Sequence, residues 1–346
     1  MTKKNKFLIN DYVLTRTPHR VSFFGGGTDL ESFYSKSTGV TFSTAISNYV
    51  YVGVKKHTKF FDEKYRIVYS KTELHNKLSK IENEIVRETL KFCNFIDPIY
   101  INSISDLPSN SGLGSSSAFT VGLLKGIYSL MNIKKNNIQL AEEACEIEIN
   151  RIKKPIGKQD QYACAMGDVN LIEYHSTGSV FIKKKNNVKK FINKIMSNSL
   201  FVWTGISRKS ETILKDQNLQ IKKNIIQDNM LEIKHICREV YGEISNYNDK
   251  NFYYLSDFFI KSLNHNWEVK KSLHKNMTNP QIDKIIKIVN SYSKNKSGIK
   301  LLGAGAGGFI MVTGIKDPNL LKKKLLKKKI LFFDTTIDTK GSIFLS

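Results

Sequence analysis

The chain is predicted to be an α+β protein of two domains, on three observations. Its 346 residues exceed the ~250 to 300 at which a single hydrophobic core stops growing. Strand-like runs of β-branched and aromatic residues open and close the chain around a mainly helical stretch, with no internal repeat. Two glycine-rich turns, one in each half, interrupt those strand-like runs.

The first domain is expected over residues 1–190 and the second over 191–346. From Tyr12 to Val54 the composition reads as strands around the turn Gly25, Gly26 and Gly27. IYINSI, starting at Ile99, is a strand that enters the loop SDLPSNSGLGSSS. Thr120, Leu123, Leu124, Ile127, Leu130 and Met131 then recur at three and four, which predicts a helix with one buried face. A second helix is expected from about Ile138 to Ile152, followed by PIGKQDQYACAMGD and the strand VNLIEY. The Lys- and Asn-rich segment from Lys183 to Lys190 marks the border. Beyond it come helices to about Lys296, the strand IKLL, the turn GAGAGG, the strand FIMVTGI, a Lys-rich helix and terminal strands. In that last helix Leu321, Leu325 and Leu326 form a narrow stripe, expected to pack on a sheet rather than to lie on a membrane.

Composition narrows the function. Hydrophobic residues make up 40%, with 20 Phe and 15 Tyr, which excludes a disordered chain. A net charge of +23 brings nucleic acid, anionic lipid and phosphorylated ligands to mind. Only seven of the 54 cationic residues are Arg, however, and sites that grip phosphate or bases with defined geometry favour the Arg fork. The lysines are therefore read as a generic solvated surface, with a basic RNA-binding protein as the rival reading. Cys93, Cys145, Cys164 and Cys237 form no CxxC pair and show no zinc spacing, which points to a reduced compartment. MTKKNKFLIN lacks the apolar stretch of a secretory signal, and no apolar run approaches a membrane span, so a soluble cytoplasmic chain is expected.

The strongest local signal is PSNSGLGSSSA, Pro108 to Ala118. Gly112 and Gly114 allow backbone angles and close approach that a Cβ would block, and the free N–H groups of the following helix point at whatever occupies the loop. A phosphate is the natural occupant, because a helix N-terminus carries about half a positive charge. The serines add hydroxyls for Mg²⁺. The competing reading is an ordinary serine-capped helix.

Glu148 falls on the apolar face of the next helix with Ala141, Ala144, Cys145 and Ile152. A carboxylate there is paired, protonated or metal-bound, unless it merely snorkels at the edge of the face. Asp160, in GKQDQ, is either a carboxylate favoured in a first helical turn or a general base for phosphoryl transfer to an alcohol. Arg20 and Asp29 flank the first glycine turn, one offering a fixed cation for a transferring phosphoryl group, the other acceptors for sugar hydroxyls. GAGAGG fits GxGxxG in letters alone: a strand-like segment follows instead of a helix, which excludes a nicotinamide-cofactor site.

Taken in order, these motifs resemble those of the GHMP kinases, the superfamily of galactokinase, homoserine kinase, mevalonate kinase and phosphomevalonate kinase. TPHRVSFFGGGTD is similar to the first motif, PSNSGLGSSSA to the second and KLLGAGAGGF to the third, spread over residues 17–309. GGGTD, GKQDQYA and WTGISRKS most resemble the D-glycero-D-manno-heptose 7-phosphate kinases, with fucokinase-like enzymes as near neighbours.

The resemblance implies an N-terminal domain like the second domain of a small-subunit ribosomal protein, a ferredoxin-like C-terminal domain and an active site in the cleft. It implies ATP and Mg²⁺ as cofactors. Pro108, Ser111, Gly112, Leu113, Gly114, Ser115, Ser116 and Ser117 would surround the ATP phosphates, with Ser116 and Glu148 on Mg²⁺. Asp160 would be the catalytic base and Arg20 the cation beside it. Gly26, Gly27, Thr28, Asp29, Gly305 and Gly307 are placed at the acceptor, with Arg208, Lys209, Lys270 or Lys271 at the acceptor's own phosphate. The implied reaction converts heptose 7-phosphate to the 1,7-bisphosphate, toward GDP-heptose for capsule or lipopolysaccharide. A fucokinase- or galactokinase-type enzyme is the alternative. The expected partners are small molecules, ATP and a sugar phosphate, with no nucleic acid and no membrane; oligomeric state is left open.

Overall fold

The structure, a computed structural model, describes residues 12–207, 211–293 and 296–345. The first sheet is built from β1 (Tyr12–Phe24), β2 (Gly39–Lys56), β3 (Tyr65–Val68), β4 (Thr72–His75), β5 (Ile99–Ser105), β6 (Val169–Tyr174) and β7 (Val180–Lys183). β2 is long enough to serve two partners. Its N-terminal part pairs with β6 from Gly39 to Thr44 and its C-terminal part with β5 from Val50 to Lys56. From Phe42 to Lys55 it pairs antiparallel with β1, and the register slips between Pro18 and His19 and again between Ser22 and Phe24. A proline, lacking an N–H, is tolerated inside a strand at such an irregularity.

Burial along β1 changes character at Thr17. Before it, buried and less buried positions alternate; from Thr17 to Phe24 every residue is buried. The alternating part has one covered face. The remainder is sandwiched, because helices α8 (Gln227–Ile244) and α9 (Phe252–Ser272) of the second half lie against it. Phe23 and Phe24 meet the Phe259 ring edge-on at centroid distances of 5.8 and 5.3 Å, so both halves share one core.

The helices between these strands are α1 (Glu31–Tyr34), α2 (Glu84–Phe92), α3 (Ser115–Leu130), α4 (Asn137–Cys145) and α5 (Gln159–Met166). Together, α2 to α5 pack over a second core on the sheet. The helix expected to run to Ile152 is instead α up to Cys145 and then a π-helical turn from Glu146 to Arg151, with Ile152 N–H bonded five residues back to Ile147 C=O. π-Turns widen a helix locally, and this one carries Glu148.

The second half contributes α6 (Asn186–Ser197), α7 (Glu211–Lys222), α8, α9, α10 (Pro280–Ser293) and α11 (Pro318–Lys327). Its sheet holds β8 (Leu200–Trp203), β9 (Gly298–Leu301), β10 (Phe309–Thr313) and β11 (Phe332–Phe333) in the order β11-β8-β10-β9, wholly antiparallel. Fourth, first, third, second is the ferredoxin-like order. On α11, Leu321 and Leu325 are buried as expected, but Leu326 points to solvent at 63% exposure. The stripe is thus narrower than three leucines, since 100° per residue separates Leu325 from Leu326.

A final strand, β12 (Ile343–Phe344), pairs with β1, so the chain end expected in the second domain closes the edge of the first sheet. The return is held at Gly167, whose φ of +60° and ψ of −174° suit glycine alone, and where a Cβ would lie 2.2 Å from Gly341 N. Gly167→Ala is expected to lose about 2–4 kcal/mol of stability, read as a lower urea midpoint; an unchanged midpoint would show that the return strand is dispensable.

Candidate active site

The loop after β5 reaches α3 through Gly112 and Gly114, both left-handed at φ +82° and +77°. Gly114 is the N-cap residue and no side chain caps the helix, which removes the serine-cap reading. The first N–H groups of α3 therefore face the cleft with the serine hydroxyls beside them. Ser111 Oγ, wholly buried and lining the same cleft, has no hydrogen-bond partner among the described residues. Gly112 is required sterically as well: a Cβ there would lie 2.5 Å from Leu302 C=O, where the second glycine turn backs the loop.

Arg20 lies on β1 and is almost wholly buried. Its Nε and Nη2 each donate to one Asp160 oxygen at 2.7 Å, a bidentate fork, while Nη1 donates to Gly112 C=O at 2.7 Å. Its backbone N–H donates to Leu113 C=O at 3.0 Å. One residue thus holds both the carboxylate on α5 and the loop. Asp160 keeps 29% of its side chain exposed to the cleft, open to a substrate hydroxyl.

Glu148 is completely buried, so it does not snorkel. Ser116 Oγ donates to it at 2.5 Å, Ser117 Oγ at 2.8 Å, Gln161 Nε2 at 2.9 Å and Lys154 Nζ at 3.0 Å. Ser116 and Glu148, the two expected metal ligands, are therefore in direct contact. Among the described residues no group of three or more His, Cys, Asp or Glu is placed to hold a metal. One carboxylate and one hydroxyl still suit Mg²⁺, whose remaining positions are ordinarily filled by water and phosphate oxygens.

At the other end of the cleft, Gly26, Gly27 and Asp29 line the wall together with Ser22, Gln159 and, across from them, Leu214 and Gln217 of α7. Asp29 accepts from Gly27 N–H at 2.9 Å and Gln159 N–H at 3.1 Å. Burial, reinforced by the nearby Asp160 charge, pushes its carboxyl above the usual range against those hydrogen bonds. Lys270 enters from α9, is buried and donates to Gly303 C=O at 2.5 Å. Burial first, and Arg20 second, lower its pKa to about 8. Lys271 instead pairs with Glu268 at 2.7 Å outside the cleft.

Several expected residues are elsewhere. Thr28 is buried outside the cleft lining, its one hydroxyl proton shared between the Gly25 and Val40 carbonyls and its oxygen accepting from Val40 N–H, so it staples the turn and does not reach an acceptor. Gly305 and Gly307 sit against Met277 and Ile206, while Gly303 and Ala304 line the cleft. Leu113 is buried and offers only its carbonyl, to Arg20; Pro108 is exposed away from the cleft lining. Arg208 and Lys209 lie outside the described residues. Lys154, Gln159, Gln161 and Gln217 were not legible as site residues: each is an isolated polar residue whose role appears only once distant elements meet. The one available signal was proximity of the first three to Asp160.

Residues 76–168 match the family described as GHMP kinases N terminal domain. D-glycero-alpha-D-manno-heptose 7-phosphate kinase of Campylobacter jejuni is 28% identical over 330 residues, covering 90% of this chain and 92% of that protein. Mevalonate kinase of Methanocaldococcus jannaschii is 25% identical over 254 residues, 72% of this chain and 73% of that protein. Among solved structures, a D-glycero-D-manno-heptose 1-phosphate kinase from Bacteroides thetaiotaomicron superposes with a TM-score of 0.73 at 18% identity, covering 96% of this chain and 99% of that one. The Methanococcus jannaschii mevalonate kinase superposes at 0.69 with 22% identity, covering 94% and 98%. The GHMP kinase fold is thereby shown for the chain.

His19, a β1 residue whose ring reaches the start of α3 at Ser115, yields a pH prediction. Ser105 Oγ donates to Leu107 C=O and so accepts from His19 Nε2–H, leaving Nδ1 to accept from Ser115 Oγ. Burial lowers the imidazole to about 4 from an ordinary 6.5. Between those values the unfolded chain binds a proton that the native state refuses, so stability is full above pH 6.5 and declines as pH falls toward 4. The loss should approach roughly 3 kcal/mol. Urea midpoints for the native protein and His19→Asn at pH 7.5 and 4.5 check this: the variant should show the shallower decline, and equal declines would exclude His19 as the source.

Proposed function

We propose that the chain is a kinase of the GHMP family, a phosphotransferase with an alcohol group as acceptor, and that it transfers the γ-phosphoryl group of ATP to the anomeric hydroxyl of D-glycero-D-manno-heptose 7-phosphate, a reading supported by the family match and the heptose kinase relative. The observation that carries this reading is the Arg20–Asp160 fork, set between the uncapped start of α3 and the Gly26–Asp29 turn. ATP phosphates bind the N–H groups of α3 and the hydroxyls of Ser111, Ser115 and Ser116. Asp160 accepts the proton of the acceptor hydroxyl, and Arg20 keeps its carboxylate in one orientation while adding positive charge next to the transferring group. Asp29, Gly26 and Gly27 orient the sugar. Magnesium, when bound, withdraws charge from the phosphates, and Ser116 with Glu148 would hold it.

The heptose phosphate is favoured over a neutral sugar by Lys270. An ammonium buried at the acceptor end, near Asp29 and Asp160 and bonded among the described residues to a carbonyl alone, is suited to a dianion. The product would feed a sugar nucleotide for surface polysaccharide. Among the described residues no helix is long and apolar enough to cross a membrane.

Phosphorus NMR of a reaction with ATP and heptose 7-phosphate is expected to show a second phosphate on C1, and Asp160→Asn should slow its formation by about 10²–10⁴-fold. Efficient turnover of fucose or galactose with none of heptose 7-phosphate would replace the substrate, and near-native turnover by the variant would remove the base. Lys270→Met is expected to raise KM for the heptose phosphate by about 10- to 100-fold while leaving KM for ATP near its native value; the opposite split would move Lys270 to the nucleotide.

A further inference from the structure

Glu148 is a carboxylate with no solvent exposure, and its four donors include one charged group, Lys154. The Lys154 ammonium lies 3.0 Å from Glu148 Oε1 and 2.7 Å from Ser116 Oγ, the same two oxygens that suit a divalent cation. The backbone aims it there. The π-turn ends at Arg151; two residues on, Lys153 is left-handed at φ +63°, and Lys154 N–H donates to Glu148 C=O at 3.0 Å, so the side chain curls back over the acid six residues earlier. Its side chain is 17% exposed at the edge of the cleft, so the ammonium has a route outward.

We propose that Lys154 is a tethered cation that occupies the divalent-metal seat of the nucleotide-free enzyme and yields it when metal and nucleotide enter together. The inference rests on reading the α3 loop as a nucleotide phosphate site. Magnesium binds oxygen at about 2.0–2.1 Å, and an ammonium touching the same two oxygens would then sit within a few ångströms of a dication in a poorly solvated site, an arrangement strongly opposed by charge repulsion. Glu148 holds one cation or the other. The displaced ammonium, on a flexible four-carbon stem, turns to the ATP phosphates, which supply the negative charge it has lost. Lys154 is thus a positioning residue: it keeps Glu148 neutralised and oriented in the resting enzyme and makes metal uptake depend on nucleotide.

The test uses Mn²⁺ alone as probe, counted by the electron paramagnetic resonance of free Mn²⁺, with the full chain and no acceptor present. Without nucleotide, Lys154→Met is expected to bind Mn²⁺ on the order of tenfold more tightly than the native chain, Lys154→Arg is expected to resemble the native chain, and Glu148→Gln introduced into Lys154→Met is expected to abolish the gain. With a non-hydrolysable ATP analogue, the difference between native and Lys154→Met should shrink. Equal or weaker Mn²⁺ binding by a folded Lys154→Met protein, or a gain that survives Glu148→Gln, would overturn the proposal. Because no sugar is present, failure of the heptose assignment leaves this result unaffected.

Discussion

The bidentate contact between Arg20 and Asp160 is the interaction on which the rest of the site depends. A guanidinium at 5% exposure must be fully partnered, because stripping one partner from a buried ion pair costs about 3–5 kcal/mol. Arg20 spends two nitrogens on Asp160 and the third on Gly112 C=O, and its own backbone N–H on Leu113 C=O. β1, α5 and the loop before α3 are therefore positioned by one residue with a rigid planar fork. Lysine, a single point charge, would not triangulate three groups in this way.

Around that contact the cleft alternates fixed positive and negative groups. Arg20 faces Asp160, Lys154 faces Glu148, and Lys270, bonded to Gly303 C=O, lies within electrostatic reach of Asp29 and Asp160. Lys300, buried behind β1, gives its ammonium to the Ser22 and Phe23 carbonyls, and burial drives its pKa far down. On the proposed reading it is Arg20, Lys154 and Lys270 that bear on the chemistry, while Lys300 lies outside the cleft lining. Most of the +23 charge has no such partner in the cleft and is read as background potential, which concentrates anionic ligands without specifying them.

The legible parts of the site were those in which chemistry and local backbone coincide. Gly112, Gly114 and the serines stand together because a tight turn into a helix that no side chain caps uses left-handed glycines, and the free N–H groups that favour an anion belong to the same few residues. Asp160 and Arg20 are 140 residues apart, yet each was visible from its own motif. Thr28, Gly305 and Gly307 were misplaced for a shared reason: a motif marks residues that a turn requires as readily as residues that touch a ligand. Thr28 closes its own turn, and Gly305 and Gly307 make room for Met277 and Ile206.

The sequence by itself determined the alternating and helical periodicities, the two glycine turns and the helix terminus that favours an anion, since each arises from interactions within a few residues. Tertiary structure alone decided which lysine enters the cleft. Lys270 and Lys271 are neighbours on α9, but a rotation of about 100° buries one against Gly303 and leaves the other with Glu268. It also decided that the chain's last strand closes the first sheet, and that Lys154 rests on Glu148 and Ser116. Those outcomes depend on where remote segments meet and on how much water is left between them, which local periodicity does not encode.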